Sequence, residues 1–181
     1  MNLLLCCENY RPSVGGVQEV MRQVAERLSA AGHRVTVATS PHPDRPVETV
    51  IEGVTVLSFP IRGNLVKGMS GPVESYRRFV LETPFDAILI KAAQQWTFDA
   101  LTPVLGAIRA RKVFIPCGFS ALYRPAFKDY FASMPAWLAA FDSLIFYAGD
   151  YRDIRFAREN GLGNIVVLPN GADEREFSGG D

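Results

Sequence analysis

Residues 3–37 read LLLCCENYRPSVGGVQEVMRQVAERLSAAGHRVTV, and this stretch decides the fold. Leu3-Leu4-Leu5 is a short apolar run with no polar alternation, the pattern of a strand covered on both faces. Val17, Val20, Met21, Val24, Ala25, Leu28 and Ala31 then fall on one helical stripe, opposite Gln18, Glu19, Arg22, Gln23, Glu26 and Arg27. Gly32 stops that helix as a C′ residue, and Val35-Thr36-Val37 resumes an extended run. Strand, glycine-bearing loop, amphipathic helix and strand make the repeating unit of a parallel sheet.

The same rhythm continues outward. Apolar runs recur at Val54-Thr55-Val56-Leu57, Ile88-Leu89-Ile90, Val113-Phe114-Ile115, Leu144-Ile145-Phe146 and Ile165-Val166-Val167-Leu168. Further helices are predicted near Val73–Glu82, Phe98–Arg111, Phe127–Phe141 and Asp150–Asn160. Pro41, Pro43 and Pro46 argue against a helix between the second and third strands, whose relative direction stays open. The expected fold class is α/β, a Rossmann-like doubly wound, mostly parallel sheet of about seven strands. The third, second and first strands are expected on one side of the sheet and the fourth onward on the other. Residues 1–169 form the expected domain, and 170–181, ending Ser178-Gly179-Gly180-Asp181, have the small, polar composition of a linker's start.

With 181 residues, 48% of them hydrophobic, the chain can bury one sizeable core. Lys plus Arg equals Asp plus Glu at 19 each, so no net field draws it to nucleic acid, and none is expected as a partner. The apolar run Leu3–Cys7 is too short for a signal-peptide core and lacks a basic leader. Three cysteines, two of them adjacent, suit a reduced, cytoplasmic protein better than a disulfide framework.

Ligands of open α/β sheets bind beyond the C-terminal strand ends, so the loop Glu8-Asn9-Tyr10-Arg11-Pro12-Ser13-Val14-Gly15-Gly16 faces the expected site. Gly15 and Gly16 let the backbone approach a ligand, and the free N–H groups opening the next helix suit a phosphate. A plain tight turn explains the pair equally well. The dinucleotide-binding spacing G-x-G-x-x-G is absent, and the second strand closes on Val37-Ala38-Thr39 without an acidic residue. A nicotinamide-dependent oxidoreductase is therefore disfavoured.

Tyr10-x-Pro12-x-x-Gly15-Gly16, the amphipathic helix and Ala31-Gly32-His33-Arg34-Val35-Thr36-Val37 together resemble the opening of family-4 glycosyltransferases of the GT-B fold. Leu168-Pro169-Asn170-Gly171-Ala172-Asp173, with Phe177 following, is similar to the segment that leaves their N-terminal domain. The resemblance spans nearly the whole chain. It implies the acceptor-side half of a retaining transferase that moves a sugar from a nucleotide diphosphate sugar to a glycan or lipid-linked acceptor, in cell-surface polysaccharide synthesis. It also implies a C-terminal donor-binding domain beyond this chain, no tightly bound cofactor and no required metal. Gly15 and Gly16 match the loop whose backbone reaches the donor phosphates in that family. Many relatives carry histidines after the fourth and fifth strands, where this chain has Lys91-Ala92-Ala93-Gln94-Gln95-Trp96 and Pro116-Cys117-Gly118-Phe119. No catalytic histidine is carried over, and the catalytic residues are left unassigned.

The candidates for acceptor binding are Lys91, Gln94, Trp96, Cys117, Phe119 and Tyr123. Lys91 and Gln94 could hydrogen-bond an acceptor or its phosphate, with Trp96 as an apolar wall; Lys91 as a solvated strand end is the plainer reading. Cys117 reads more simply as a buried filler than as a nucleophile. The aromatic and basic stretch from Phe119 to Trp137 suits an acceptor wall, a contact with the inner membrane surface, or a helix packing its aromatic stripe on the sheet. The Gly-rich segment Ile61–Pro72 reads as a recognition loop or a connector, and Asp150 as a helix N-cap. A non-catalytic carbohydrate- or partner-binding domain of the same fold remains the alternative.

Overall fold

The computed structural model describes residues 1–172; Asp173 and Phe177 of the second motif, and most of the 170–181 linker, lie outside the described residues. The strands are β1 (Asn2–Cys6), β2 (Arg34–Thr39), β3 (Glu48–Ile51), β4 (Val54–Ser58), β5 (Arg62–Asn64), β6 (Gly68–Ser70), β7 (Ala87–Lys91), β8 (Arg111–Ile115), β9 (Ser143–Phe146) and β10 (Ile165–Val167). The helices are α1 (Gly16–Ala30), α2 (Val73–Glu82), α3 (Trp96–Asp99), α4 (Lys128–Ala139) and α5 (Arg152–Glu159). Eight strands form one sheet in the order β10-β9-β8-β7-β1-β2-β4-β3, while β5 and β6 pair as a separate hairpin.

The seven expected strands correspond to β1, β2, β4, β7, β8, β9 and β10, all mutually parallel, and β4 runs with β2 from Thr36↔Thr55 to Thr39↔Ser58. The eighth, β3, lies in what the sequence reading took as a link. It pairs antiparallel to β4 across the two-residue turn Glu52-Gly53, where both residues have positive φ, the turn that matches hairpin twist.

β1 sits at the centre and is buried on both sides. Leu4 and Cys6 point into one apolar cluster, Leu3, Leu5 and Cys7 into the other, as a period of two requires. The chain leaves β1 towards β2 on one side and later builds β7 to β10 on the other. Right-handed crossovers then place α1 alone on one face and α2 to α5 on the opposite face. Met21 and Ala25 of α1 belong to the cluster with Leu3, Leu5 and Cys7, and Tyr76, Phe98, Met134 and Ile154 from the other helices to the cluster with Leu4 and Cys6. α1 ends in a full Schellman arrangement, His33 N–H to Leu28 O at 3.1 Å and Gly32 N–H to Ser29 O at 2.9 Å, with Gly32 at φ 86.

Several expectations are corrected. The helix predicted over Phe98–Arg111 is the single turn α3 followed by a 3-10 segment, Thr102–Ala107, because Pro103 is tolerated only at a helical start. Pro125–Phe127 likewise form a 3-10 turn before α4. Tyr151, not Asp150, precedes α5; Asp150 is exposed and pairs with Arg155. The segment Ile61–Pro72 is the ordered β5–β6 hairpin, whose buried Asn64 accepts the N–H groups of Val66 at 3.1 Å and Lys67 at 2.8 Å. The aromatic run from Phe119 packs inward, with Phe119, Phe127, Tyr130 and Phe131 all buried and Tyr123 exposed.

The larger cluster is organised by rings. Phe114 of β8 stacks on Phe98 at 4.5 Å and on Phe141 at 5.1 Å and has no exposed surface. Phe114→Ala leaves a ring-sized void between two fixed rings, and the expected loss is about 3–5 kcal/mol in urea unfolding. A loss below about 1 kcal/mol would show that the cluster collapses around the void.

Candidate functional site

The C-terminal strand ends gather four loops along one edge of the sheet: Cys7–Gly15 after β1, Ser40 onward after β2, Ala92–Gln95 after β7 and Pro116–Arg124 after β8. The strand order reverses between β1 and β7, which opens a crevice there. Gly15 sits in extended backbone at the start of α1, and a Cβ placed on Gly16 would meet nothing within 4 Å. The face of Gly16 is therefore open.

Backbone at this edge is held in an uncommon region. Ala92, Gln94, Cys117 and Phe119 all have positive φ, at 72, 65, 60 and 47, and such positions persist only where surrounding contacts over-determine them. Those contacts are visible. The Gln94 N–H donates to Tyr130 Oη at 2.8 Å, the Asn64 amide donates to Gln94 O at 3.2 Å, and the Gly118 N–H donates to Asp153 at 2.7 Å. After β1, Arg11 pairs with Glu26 of α1 at 2.8 Å. The buried Arg45 guanidinium donates to the carbonyls of Arg11 and Ser40 and to Ser58 Oγ at 3.3 Å. One arginine thus ties the ends of β1, β2 and β4 together.

Asp99 fixes the hairpin. It has no exposed surface, accepts the Tyr130 hydroxyl at 2.6 Å and takes the Leu65 N–H at 2.9 Å, so it links α4 to the β5–β6 turn. Burial outweighs these donors and lifts its carboxyl to about 6. Glu8, half-buried across the crevice, is also pushed above the usual carboxylate range, by burial first and by Asp99 second. A polar cavity of about 400 Å³ opens beside Glu8, bounded by Asn9, Ser40, Pro60, Ile61 and Arg62. A second cavity of about 550 Å³ lies on the α1 face of the sheet, between Val20 and Val24 of α1, the floor Leu89, Ile145 and Tyr147, and the segment from Leu168.

The sequence-predicted candidates separate into groups. Gly16 stands open at the edge while Gly15 is backed by the Gln18 side chain, and Gln94 is half-buried there, its Oε1 3.4 Å from the Ala121 N–H and Ser120 Oγ. Lys91 is not a solvated strand end but 1% exposed, and burial lowers its basicity. Trp96 is fully buried, its indole N–H donating to Ser40 Oγ at 2.8 Å. Phe119 is buried between Phe131 and Phe156, at 5.3 and 5.4 Å. Cys117 is partly covered, with its thiol pushed up by burial, and Tyr123 is 82% exposed.

Sequence reading missed Glu8, Arg45, Arg62, Asp99 and Tyr130. Glu8 and Ser40 stand just past the ends of β1 and β2, a position legible in the sequence; Asp99 and Tyr130 meet only through the fold. Among the described residues no group of three or more His, Cys, Asp or Glu side chains is placed to hold a metal, and no helix is long and apolar enough to cross a membrane.

These features define an open α/β domain with a glycine turn into α1 and a polar cavity over the ends of β1, β2 and β4, beside its switch point. Residues 15–171 match the Glycosyl transferase 4-like domain, and the chain belongs to that family of glycosyltransferases. Among solved structures it is similar to a sucrose-phosphate synthase from Thermosynechococcus elongatus, at TM-score 0.65 and 13% identity over 98% of this chain and 93% of that one. The likeness supports a GT-B half-domain fold. Comparison with curated proteins finds no significant match.

Asp99 makes stability pH-dependent. Its folded pKa of about 6 stands above the ordinary 3.8, so the folded state holds the proton more tightly between those values. Its contribution is greatest at low pH and falls as pH rises through about 6, by up to roughly 3 kcal/mol. Asp99→Asn should flatten that part of the profile in urea unfolding across the range, whereas an unchanged slope would assign it to other groups.

Proposed function

We propose that this chain supplies the acceptor side of a retaining glycosyltransferase that uses a nucleotide diphosphate sugar and elongates a glycan or lipid-linked acceptor. One observation carries the reading: the Gly15-Gly16 turn, open at Gly16, and the polar cavity beside Glu8 lie on the same sheet edge, next to the point of strand reversal. The turn offers backbone N–H groups at a helix start, where negative charge is favoured. Such donors stabilise charge developing on a departing diphosphate. The cavity offers carboxylate, hydroxyl and guanidinium groups, a set suited to sugar hydroxyls or a phosphorylated acceptor.

In this reading Glu8, Ser40 and Arg62 orient the acceptor, while Asp99, Tyr130 and Gln94 hold the surrounding loops. Trp96 and Phe119 act from beneath, by packing. Tyr123, with Arg124 beside it, is the exposed pair available to a lipid-linked acceptor at the inner membrane surface. Donor and acceptor must be held together for transfer, so the donor contacts come chiefly from a second domain. Purified chain 1–181 is expected to show no sugar transfer, and a protein joining it to a nucleotide-sugar-binding half is expected to show turnover. Comparable turnover by both would overturn the half-site reading.

Gly16 separates function from folding. Because a Cβ there meets nothing within 4 Å, Gly16→Leu should change unfolding free energy by less than about 1 kcal/mol. In the joined protein the same change should lower the transfer rate at least roughly tenfold, by blocking backbone approach to the phosphates. Parallel loss of stability and rate would mean that the turn serves the fold alone.

A further inference from the structure

Cys6↔Ala38 is the last ladder pair of β1 and β2, and the pairing runs on past both strands. The Cys7 N–H donates to Ala38 O at 3.2 Å and the Ser40 N–H to Glu8 O at 2.9 Å, which sets Glu8 beside Ser40. Neighbours across parallel strands lie about 4.8 Å apart and turn their side chains to one face. Here it is the face of Cys6, Ala38 and Trp96, where Ser40 meets the Trp96 indole and Glu8 is influenced by Asp99. Both residues border the polar cavity. Trp96 is fully buried and edge-on to the Tyr76 ring at 5.0 Å, so the direction of its N–H is fixed. An indole nitrogen only donates, which makes Ser40 Oγ the acceptor in their 2.8 Å bond. The serine keeps its own proton to give. Among the described residues nothing accepts that proton, and nothing donates to the Glu8 carboxylate, so the two do not satisfy each other.

An unused donor and an unused acceptor therefore stand side by side on one cavity wall. An anion there is disfavoured by Glu8, with Asp99 behind it, and a cation by Arg62, which borders the same cavity and forms no ion pair with Glu8. The ligand that loses least on leaving water is neutral, accepts from Ser40 and donates to Glu8. Two adjacent sugar hydroxyls do both, since each is donor and acceptor at once. We propose that Glu8 and Ser40 clamp a vicinal diol of a neutral sugar, and that Trp96 is the positioning residue that turns the Ser40 hydroxyl towards it. At about 400 Å³ the cavity has room for a single ring. The role of that sugar as acceptor rests on the transferase reading; the clamp itself selects hydroxyls over phosphate at this position.

The test is saturation-transfer NMR titration of chain 1–181 with methyl α-mannoside, methyl α-glucoside and myo-inositol. Their monodeoxy analogues and glucose 6-phosphate are titrated beside them at constant ionic strength. At least one neutral polyol should bind saturably, and more tightly than glucose 6-phosphate. Loss of one hydroxyl of the clamped pair should weaken binding at least about fivefold, as should Ser40→Ala or Glu8→Ala. Ser40→Thr, which keeps the hydroxyl, should bind more tightly than Ser40→Ala. The deoxy analogue lacking the hydroxyl that Ser40 contacts should bind wild type and Ser40→Ala alike. Trp96→Phe keeps a buried ring and loses the N–H, so it should reduce discrimination between the polyol and that analogue, a change that loosened packing does not produce. Should that variant fail to fold, the serine and glutamate variants at the cavity wall decide the clamp. Absence of polyol binding by wild type, tighter binding of glucose 6-phosphate, or undiminished affinity in Ser40→Ala or Glu8→Ala would each overturn it, and undiminished discrimination in Trp96→Phe would remove the role of Trp96. Polyol binding needs no donor, so sugar transfer by the joined protein judges the transferase reading separately.

Discussion

The central position of β1, paired in parallel with β2 on one side and β7 on the other, is the constraint on which the structure depends. A central strand of a parallel sheet is covered on both faces by the crossovers that connect it, which is why Leu3-Leu4-Leu5-Cys6-Cys7 carries no charged residue. Right-handed crossovers do the rest. Because the chain departs from β1 in two directions, the covering helices divide between the faces and the two loops flanking the reversal part from each other. The crevice follows from that topology, and side chains then furnish it.

The furnishing depends on buried polar groups. Arg45 gathers the ends of β1, β2 and β4, Asp99 and Tyr130 gather the β5–β6 hairpin with α4, and Asp153 holds the loop after β8. Each group is costly to bury and is offset by hydrogen bonds to backbone that would otherwise be unpaired. The same bonds hold Ala92, Gln94, Cys117 and Phe119 at positive φ. Strain and buried charge thus concentrate at one edge of a sheet whose interior is apolar, the distribution expected when stability is traded for a binding surface.

The two cavities differ in chemistry for the same topological reason. The one beside Glu8 is formed by residues of the loops after β1, β2 and β4, polar ones among them. The other arises because α1 is the only described helix on its face, leaving Leu89, Ile115 and Ile145 to form an apolar floor.

Sequence alone determined the parallel sheet, its seven principal strands, the strand order about β1 and the helix at Val73–Glu82, because apolar periodicity and the strand-loop-helix rhythm are local signals. It also determined Gly15-Gly16 as the turn into α1, since glycine at that junction is itself local. It did not reach β3, whose alternation is only four residues long and sits among prolines, nor the collapse of the Phe98–Arg111 helix around Pro103. Tertiary structure alone decided which polar residues face the crevice. Lys91 ends β7 and Trp96 follows closely, yet both are buried, whereas Glu8 and Arg62, far apart in sequence, border one cavity. Periodicity tells which face a residue takes, but whether that face meets a helix, a loop or an opening is fixed only when distant segments pack.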